Sequence, residues 1–236
     1  MMVMRYARYG NLRKMLNTNF NKLTWIQKIR ILYYISNGLA KIHEDDLIHR
    51  DFHPGNIVNE SLTSPYIIDF GSCIPVSEND PEKIYGVIPY MATETLSRGE
   101  YTQKSDIYSF GMIMLEVFNS YPPYYNIPHD ENLVKMICDG LKPEIKCEIP
   151  QLLKNLMEKC WSADPSNRPT AEELECQLKL YTDEDSVLNK QIKETNEINK
   201  NFIKYDPNEM HPKAIYTSRY LPFIKLKLIP MGSGIL

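Results

Sequence analysis

Between His49 and Gly71 the chain gathers residue types that can hold a divalent cation and move a proton. They read His49-Arg50-Asp51-Phe52-His53-Pro54-Gly55-Asn56, then Asp69-Phe70-Gly71. Two carboxylates and an amide on loops between short strands suit metal and phosphate chemistry: one carboxylate can take a proton, and the other, with the amide, can offer hard oxygen ligands to Mg2+. Asp51 alone would read as an N-cap or turn aspartate, but the constellation around it gives it a chemical reading. His49 and His53, four apart, would share a helix face as metal ligands, and Pro54 directly after them argues against that helix.

The elements that must position these residues follow from periodicity. The apolar run Met1–Tyr6 ends at Ala7-Arg8-Tyr9-Gly10 and reads as a short strand and a turn. Trp25, Ile29, Leu32, Leu39 and His43 line one helical stripe, and Thr24 with Gln27 has capping-box spacing, so a helix is expected over 24–44. Ile57-Val58 and Tyr66-Ile67-Ile68 are short β-branched runs broken by Gly, Pro and Asn. Residues 72–91, with Pro75, Pro81 and Pro89 and no periodicity, read as a long irregular segment of the kind that carries function. Ile107 to Phe118 is apolar nearly all round, the pattern of a helix buried on every side. Further helices are expected at 133–138, stopped by Gly140 and Pro143, at 152–161 and at 171–180. After Thr182 the composition turns to Lys, Glu, Asn and Asp, which predicts a weakly helical or disordered stretch to about Tyr205 and disorder over 206–236, with a strand at 224–228 as the minor alternative.

Composition narrows the classes. With 236 residues and 43% hydrophobic content the chain can build a core, and a net charge of -3, from 27 Lys and Arg against 30 Asp and Glu, gives no electrostatic case for nucleic acid. The five cysteines show no CxxC pairing, so a reducing compartment, cytoplasmic or nuclear, is expected. No apolar stretch approaches the ~20 residues of a membrane span.

The motif His49 to Asn56 with Asp69-Phe70-Gly71 resembles the protein-kinase catalytic loop H-R-D-L-x-x-x-N and the D-F-G metal motif. The resemblance implies an α+β, protein-kinase-like fold: a mainly α-helical C-terminal lobe with a few short strands. It implies Asp51 as the base for the substrate hydroxyl, Asn56 and Asp69 as ligands of Mg2+ on the ATP phosphates, Arg50 as the basic partner of the activation segment and His49 as a packed structural histidine. Gly86-Val87-Ile88-Pro89-Tyr90-Met91-Ala92-Thr93-Glu94 resembles the substrate-docking end of that segment, with its A-P-E closure. Ser105 to Gly111 resembles the start of the buried central helix, whose Asp106 would brace the catalytic loop. Cys160 to Pro165 and Asn167-Arg168-Pro169-Thr170 resemble the late helices of tyrosine-kinase-like kinases, which pairs Arg168 with Glu94. Upstream, Val3 to Ala7 looks like the hinge, with Met4 as gatekeeper and the backbone of Arg5 and Ala7 facing adenine, while Val58 and Ile68 would line the nucleotide pocket.

The likeness covers residues 1–181, expected as hinge and large lobe, with 182–236 as a polar tail. No G-x-G-x-x-G loop and no phosphate-pairing lysine strand occur in it, so the chain reads as truncated before the hinge and is expected to bind Mg-ATP weakly or not at all alone. His53 stands where Ser/Thr kinases carry Lys, Val87 where they carry Thr, and Thr93 replaces the Pro of A-P-E. The first two changes are linked, because that Lys and Thr both meet the catalytic Asp, so losing both leaves no buried partner unpaired. The expected activity is transfer of the γ-phosphoryl group of ATP to a protein Ser/Thr hydroxyl, a Tyr acceptor being the variant. Pro54 and Tyr90 fit the Ser/Thr pattern. The expected partners are ATP and protein substrates or signalling proteins. Two other readings stand beside it: a pseudokinase-type binding module, and a small-molecule phosphotransferase whose H-x-D-x-x-x-x-N loop is also satisfied. Arg50, Glu94, Asp106 and Arg168 favour the protein-kinase branch. For the segment's switch, Ser77 and Tyr85 are candidate phosphorylation sites, with Glu78, Asp80 and Glu82 as built-in carboxylates that can reach Arg50.

Overall fold

Leu12, Met15 and Leu16 recur at helical spacing behind Asn11, whose side chain accepts the Lys14 amide. They form α1 (Leu12–Asn19) in the computed structural model, which describes residues 6–78, 84–182 and 187–222. At the next start, Thr24 accepts the Gln27 amide at 3.3 Å while Gln27 accepts the Thr24 amide at 2.9 Å. That reciprocal cap opens α2 (Trp25–Glu44), which buries Ile29, Leu32, Ile35 and Leu39 on one face. After β1 (Leu47–Ile48) comes a 3-10 turn over Pro54–Asn56, and then an antiparallel hairpin, β2 (Ile57–Ser61) and β3 (Ser64–Ile67), in the register Ile57 to Ile67 and Val58 to Tyr66. A second 3-10 turn, Phe70–Ser72, leads to β4 (Ile74–Pro75), which pairs antiparallel with β1.

β5 (Tyr85–Gly86) precedes α3 (Thr93–Arg98), which stops at Gly99 with a left-handed φ of 74°. α4 (Gln103–Asn119) starts from a second capping box, Thr102 with Ser105, and every residue from Ser105 to Asn119 is buried. Burial of each large apolar side chain is worth about 1.5–3 kcal/mol, so this helix carries the densest share of the core. α5 (Glu131–Cys138), α6 (Gln151–Cys160) and α7 (Ala171–Tyr181) surround it, and α2 packs most extensively on α7. α6 approaches α4 at Gly111, where an added Cβ would lie 2.7 Å from the Cys160 Cβ. The Lys28 ammonium is buried with it, donating to the Phe118 carbonyl at 3.1 Å and lying 3.7 Å from the Phe20 ring centre. α8 (Val187–Ile198) and β6 (Arg219–Tyr220) complete the order, and β6 pairs antiparallel with β5.

The expected helices and the short strands flanking the loop are all present. α1 is an addition: two turns supply too little periodicity to stand out beside the apolar run before it. That run lies outside the described residues over 1–5, and Tyr6 is exposed and not in a strand. The tail differs more. α8 occupies the stretch expected to be weakly helical or disordered, and the chain from Tyr205 to residue 222, of which 206 onward was expected to be disordered, packs on the body through widely spaced anchors. Tyr205 is 3% exposed among Tyr121 and Tyr125, and Leu221 is 1% exposed against Ile84 and its neighbours. Such anchors satisfy no periodic pattern, so composition alone reads them as solvated. The alternative strand at 224–228 lies outside the described residues.

Candidate active site

The loop after β1 is shaped by one buried carboxylate on α4. Asp106 Oδ2 accepts the His49 amide at 2.8 Å and faces His43 Nε2 at 3.0 Å, while Oδ1 accepts the Arg50 amide at 3.1 Å. Arg50 is thereby held at φ 70°, a conformation that costs a non-glycine residue about 1–2 kcal/mol. The His49 ring is fully buried between Phe52 and Phe70, with Nε2 on the Ile68 carbonyl at 3.2 Å.

Asp51 follows. Asn56 Nδ2 donates both to its main-chain carbonyl, at 2.9 Å, and to its Oδ2, at 3.1 Å. His53 Nδ1 accepts the Gly55 amide at 3.0 Å, which assigns the ring proton to Nε2, 3.5 Å from Asp51 Oδ2. Burial alone would raise the Asp51 pKa. His53, Ser218 and Asn56 outweigh it and hold the carboxyl below its ordinary value. Oδ1 is buried and makes no hydrogen bond. An ionised carboxylate with one oxygen fixed and the other unpaired is arranged to accept a proton.

The placement of Asn56 and Asp69 is set by the hairpin. The Ile68 amide donates to the Asn56 carbonyl at 2.9 Å, so Asp69 begins one residue beyond that link, exposed and left-handed at φ 65°. Asn56 spends its Nδ2 on Asp51, which leaves its Oδ1 for a ligand. A carboxylate oxygen and an amide oxygen fit Mg2+, which keeps waters and substrate phosphate oxygens as its other ligands. Among the described residues no cluster of three or more His, Cys, Asp or Glu side chains forms a metal cage. A cleft bounded by Arg50, Asp51, Gly71, Ser72 and Tyr85 brings the Asp69-Phe70-Gly71 turn to the face of Asp51.

Of the other residues singled out in the sequence, Val58 and Ile68 are half-buried on the hairpin and its exit, and Ala7 accepts the Gly10 amide in a turn. Arg5 and Met4 lie outside the described residues. Glu94 and Arg168 meet in a bidentate pair at 2.6 and 2.8 Å. The Arg50 guanidinium lies 4.4 Å from the Tyr101 ring centre rather than on Glu78, and Asp80 and Glu82 are outside the described residues. Sequence reasoning missed a second ionic cluster: Arg13 donates to Glu116 at 2.9 Å and to the Tyr90 hydroxyl, so α1 is tied to α4 and to the segment before α3. Burial would lower the Arg13 pKa, and Glu116 drives it above its ordinary value instead. An arginine in a helix too short to be recognised carried no signal for this. Ser218, reached from the far end of the chain, was also missed.

The loop that carries Asp51, the adjoining Asp69-Phe70-Gly71 turn and the helical body that braces both are arranged as in the mainly helical lobe of the protein-kinase class. Residues 1–178 match the family described as protein tyrosine and serine/threonine kinase, and the chain belongs to that family. It is 37% identical over 182 residues to a Dictyostelium discoideum protein named as a probable serine/threonine-protein kinase, gdt2, covering 74% of this chain and 11% of that one. It is 34% identical over 177 residues to an Acanthamoeba polyphaga mimivirus protein named as a serine/threonine-protein kinase/receptor, R826, covering 73% and 10%. The dual specificity protein kinase pyk3 of Dictyostelium discoideum is 28% identical over 207 residues, covering 85% and 15%. The chain thus spans about a tenth of the length of the first two. Among the described residues no helix is long and apolar enough to cross a membrane.

Proposed function

We propose that this chain carries the catalytic loop of an ATP-dependent kinase acting on a Ser or Thr hydroxyl of a polypeptide. The observation that supports it most is the state of Asp51: ionised, fixed through Oδ2 by Asn56 and His53, and open at a buried Oδ1. Bound Mg-ATP supplies the phosphoryl group and the cation that neutralises charge on it. Asp51 orients the incoming hydroxyl and takes its proton, Asn56 and Asp69 offer the oxygen ligands for the cation, and Asp106 keeps the loop in shape. Arg50, on Tyr101, is the cation available to a modified activation segment. His53 takes over from the usual lysine as the side chain beside the base, and contact with the γ-phosphate is weaker for it.

In this reading residues 1–181 are the kinase body and 182–236 a polar tail, and Arg5 and Ala7 face adenine with Val58 and Ile68 against the nucleotide. Pro54 and Tyr90, and the serine/threonine names of two relatives, support the Ser/Thr acceptor. Five unpaired cysteines support a reducing, cytoplasmic or nuclear location, and the net negative charge argues against nucleic acid. The test is phosphate incorporation into Ser/Thr and Tyr peptides by the full-length protein. Asp51→Asn should abolish it while the circular dichroism spectrum is unchanged, and substantial turnover by that variant would refute the role given to Asp51. Calorimetry on residues 1–236 should show weak Mg-ATP binding or none, and micromolar affinity would overturn that expectation.

A further inference from the structure

Beyond α8 the chain returns across the face that carries Asp51. The His211 amide donates to the Tyr125 carbonyl at 2.9 Å, the His129 amide to Lys213 at 3.0 Å, and the Ile215 amide to His129 Nδ1 at 3.0 Å. Tyr216 then lies over the Arg13 guanidinium, 4.2 Å from ring centre to Cζ, edge-on to Tyr90, with its hydroxyl on the Pro123 carbonyl at 2.9 Å. Two residues later the backbone becomes β6. Arg219 stands opposite Gly86 and Tyr220 opposite Tyr85, and the Leu221 amide donates to Ile84 at 2.9 Å. The Arg219 guanidinium also donates to the His129 carbonyl. Ser218 is fixed between these two anchorages. Its hydroxyl faces the Asp51 carboxylate and favours the ionised form, yet the residue remains exposed on its other side.

A strap that merely stabilised the body would have no reason to place a hydroxyl beside the carboxylate of a proton acceptor. Nor would it need to add a strand to the stretch just before Val87–Tyr90. The geometry points to residues 211–221 as a polypeptide bound in cis in the acceptor groove, with Ser218 in the position of the hydroxyl to be phosphorylated. This rests on the kinase reading above and deepens it. Strand addition supplies main-chain affinity, and the side-chain seats supply specificity. The preferred acceptor is a Ser with an aromatic residue two places before it, Arg directly after it and an aliphatic residue three places after it. External substrates compete with the tail. When ATP is bound on the open side, Ser218 Oγ forms the new bond to the γ-phosphorus, the bond from that phosphorus to the β,γ-bridging oxygen breaks, ADP leaves with the electron pair, and the hydroxyl proton passes to Asp51.

The experiment separates docking from chemistry. Hydrogen exchange on residues 1–236 should show the amides of 84–86 exchanging at least about tenfold faster in Leu221→Asp and in Tyr216→Ala than in the wild type, with α4 unchanged. A fluorescent peptide of the sequence of residues 211–222 should bind Leu221→Asp at least about tenfold tighter than it binds the wild type, whose groove is filled. If either variant also loses protection in α4, Arg219→Ala gives the same readout from a half-exposed position. Equal exchange at 84–86 in all chains, or equal peptide binding to variant and wild type, overturns the inference. In the full-length protein with Mg-ATP, phosphate on Ser218 at a rate independent of protein concentration supports it. Phosphate on an added Ser/Thr peptide with none on Ser218 overturns the acceptor position and leaves the kinase reading standing. A docked tail with no phosphate on any acceptor counts against the kinase reading and leaves the docking standing.

Discussion

Replacing Arg168 by Ala tests the join between the segment before α4 and the late helices. Four hydrogen bonds disappear with the guanidinium: Nε to the Ser162 carbonyl at 2.9 Å, Nη1 to the Lys104 carbonyl at 2.9 Å, and the two to Glu94. The side chains of Arg168 and Glu94 are 0% and 4% exposed, so the carboxylate left behind has no water to replace its partner. Loss of one member of a buried pair costs about 3–5 kcal/mol. At ~2–4 °C per kcal/mol for a chain of this size, Tm should fall by about 6–20 °C. Glu172→Ala is the control: it is exposed in the first turn of α7, where a negative charge favours the helix by about 0.3–1 kcal/mol, so its Tm shift should stay below about 4 °C. The assay is thermal unfolding by circular dichroism, repeated for Glu94→Gln and for Glu94→Gln with Arg168→Met. The double variant should lose less than the sum of the two singles, since neither charge is then stranded. Equal shifts for Arg168→Ala and Glu172→Ala, or strict additivity in the cycle, would refute the reasoning.

The remaining predictions address the site and the core. In Gly55→Ala the new Cβ would meet His53 Cε1 at 2.5 Å and Nδ1 at 2.8 Å, so the imidazole is pushed off Asp51. The Asp51 carboxyl, now held low, should then titrate higher by NMR, and its contribution to stability, present above the ordinary carboxylate range and lost as pH falls, should shrink; an unmoved titration counts against His53 as its partner. Gly111→Ala forces α4 away from Cys160 and should cost about 1–3 kcal/mol in urea unfolding, an unchanged midpoint showing that the helices are not in contact there. Burial drives the Lys28 pKa down to about 7, although Phe20, Trp25 and the Phe118 carbonyl all favour the ammonium. Because the unfolded chain binds the proton more tightly, folding stability gains as pH rises from about 7 towards 10.5, so the advantage of Lys28→Met over the wild type should be larger at about pH 6 than at about pH 9. An advantage equal at the two pH values would show that Lys28 keeps its proton in the fold.

What the sequence made legible is what is local or strongly periodic. The run His49 to Asn56 and the turn Asp69 to Gly71 announce themselves because the spacing of a catalytic loop is short and its residue types are constrained. α2 and α4 announce themselves through a capping box and unbroken apolarity. The cluster Arg13, Tyr90, Glu116 and Tyr216 joins four distant positions, of which only Tyr90 belongs to a motif and none carries a sign of the others, so no local pattern could reveal it. The tail was read as disordered for a related reason. Its polar composition is real, but the packing rests on single aromatics and on main-chain hydrogen bonds to β5, which no side-chain pattern encodes. Arg50 was expected to meet a carboxylate or phosphate of the segment; Asp80 and Glu82 lie outside the described residues, and the guanidinium stands 4.4 Å from the Tyr101 ring centre.

That same left-handed residue has a bearing on how the protein fails under stress. A loop in an unfavourable backbone conformation normally relaxes by opening locally, long before the rest of the molecule melts. Here its restraints, the amides of His49 and Arg50 on Asp106, are anchored in the helix that is buried from end to end, so there is no small excursion by which the loop can let go. The catalytic loop and the core therefore share one fate.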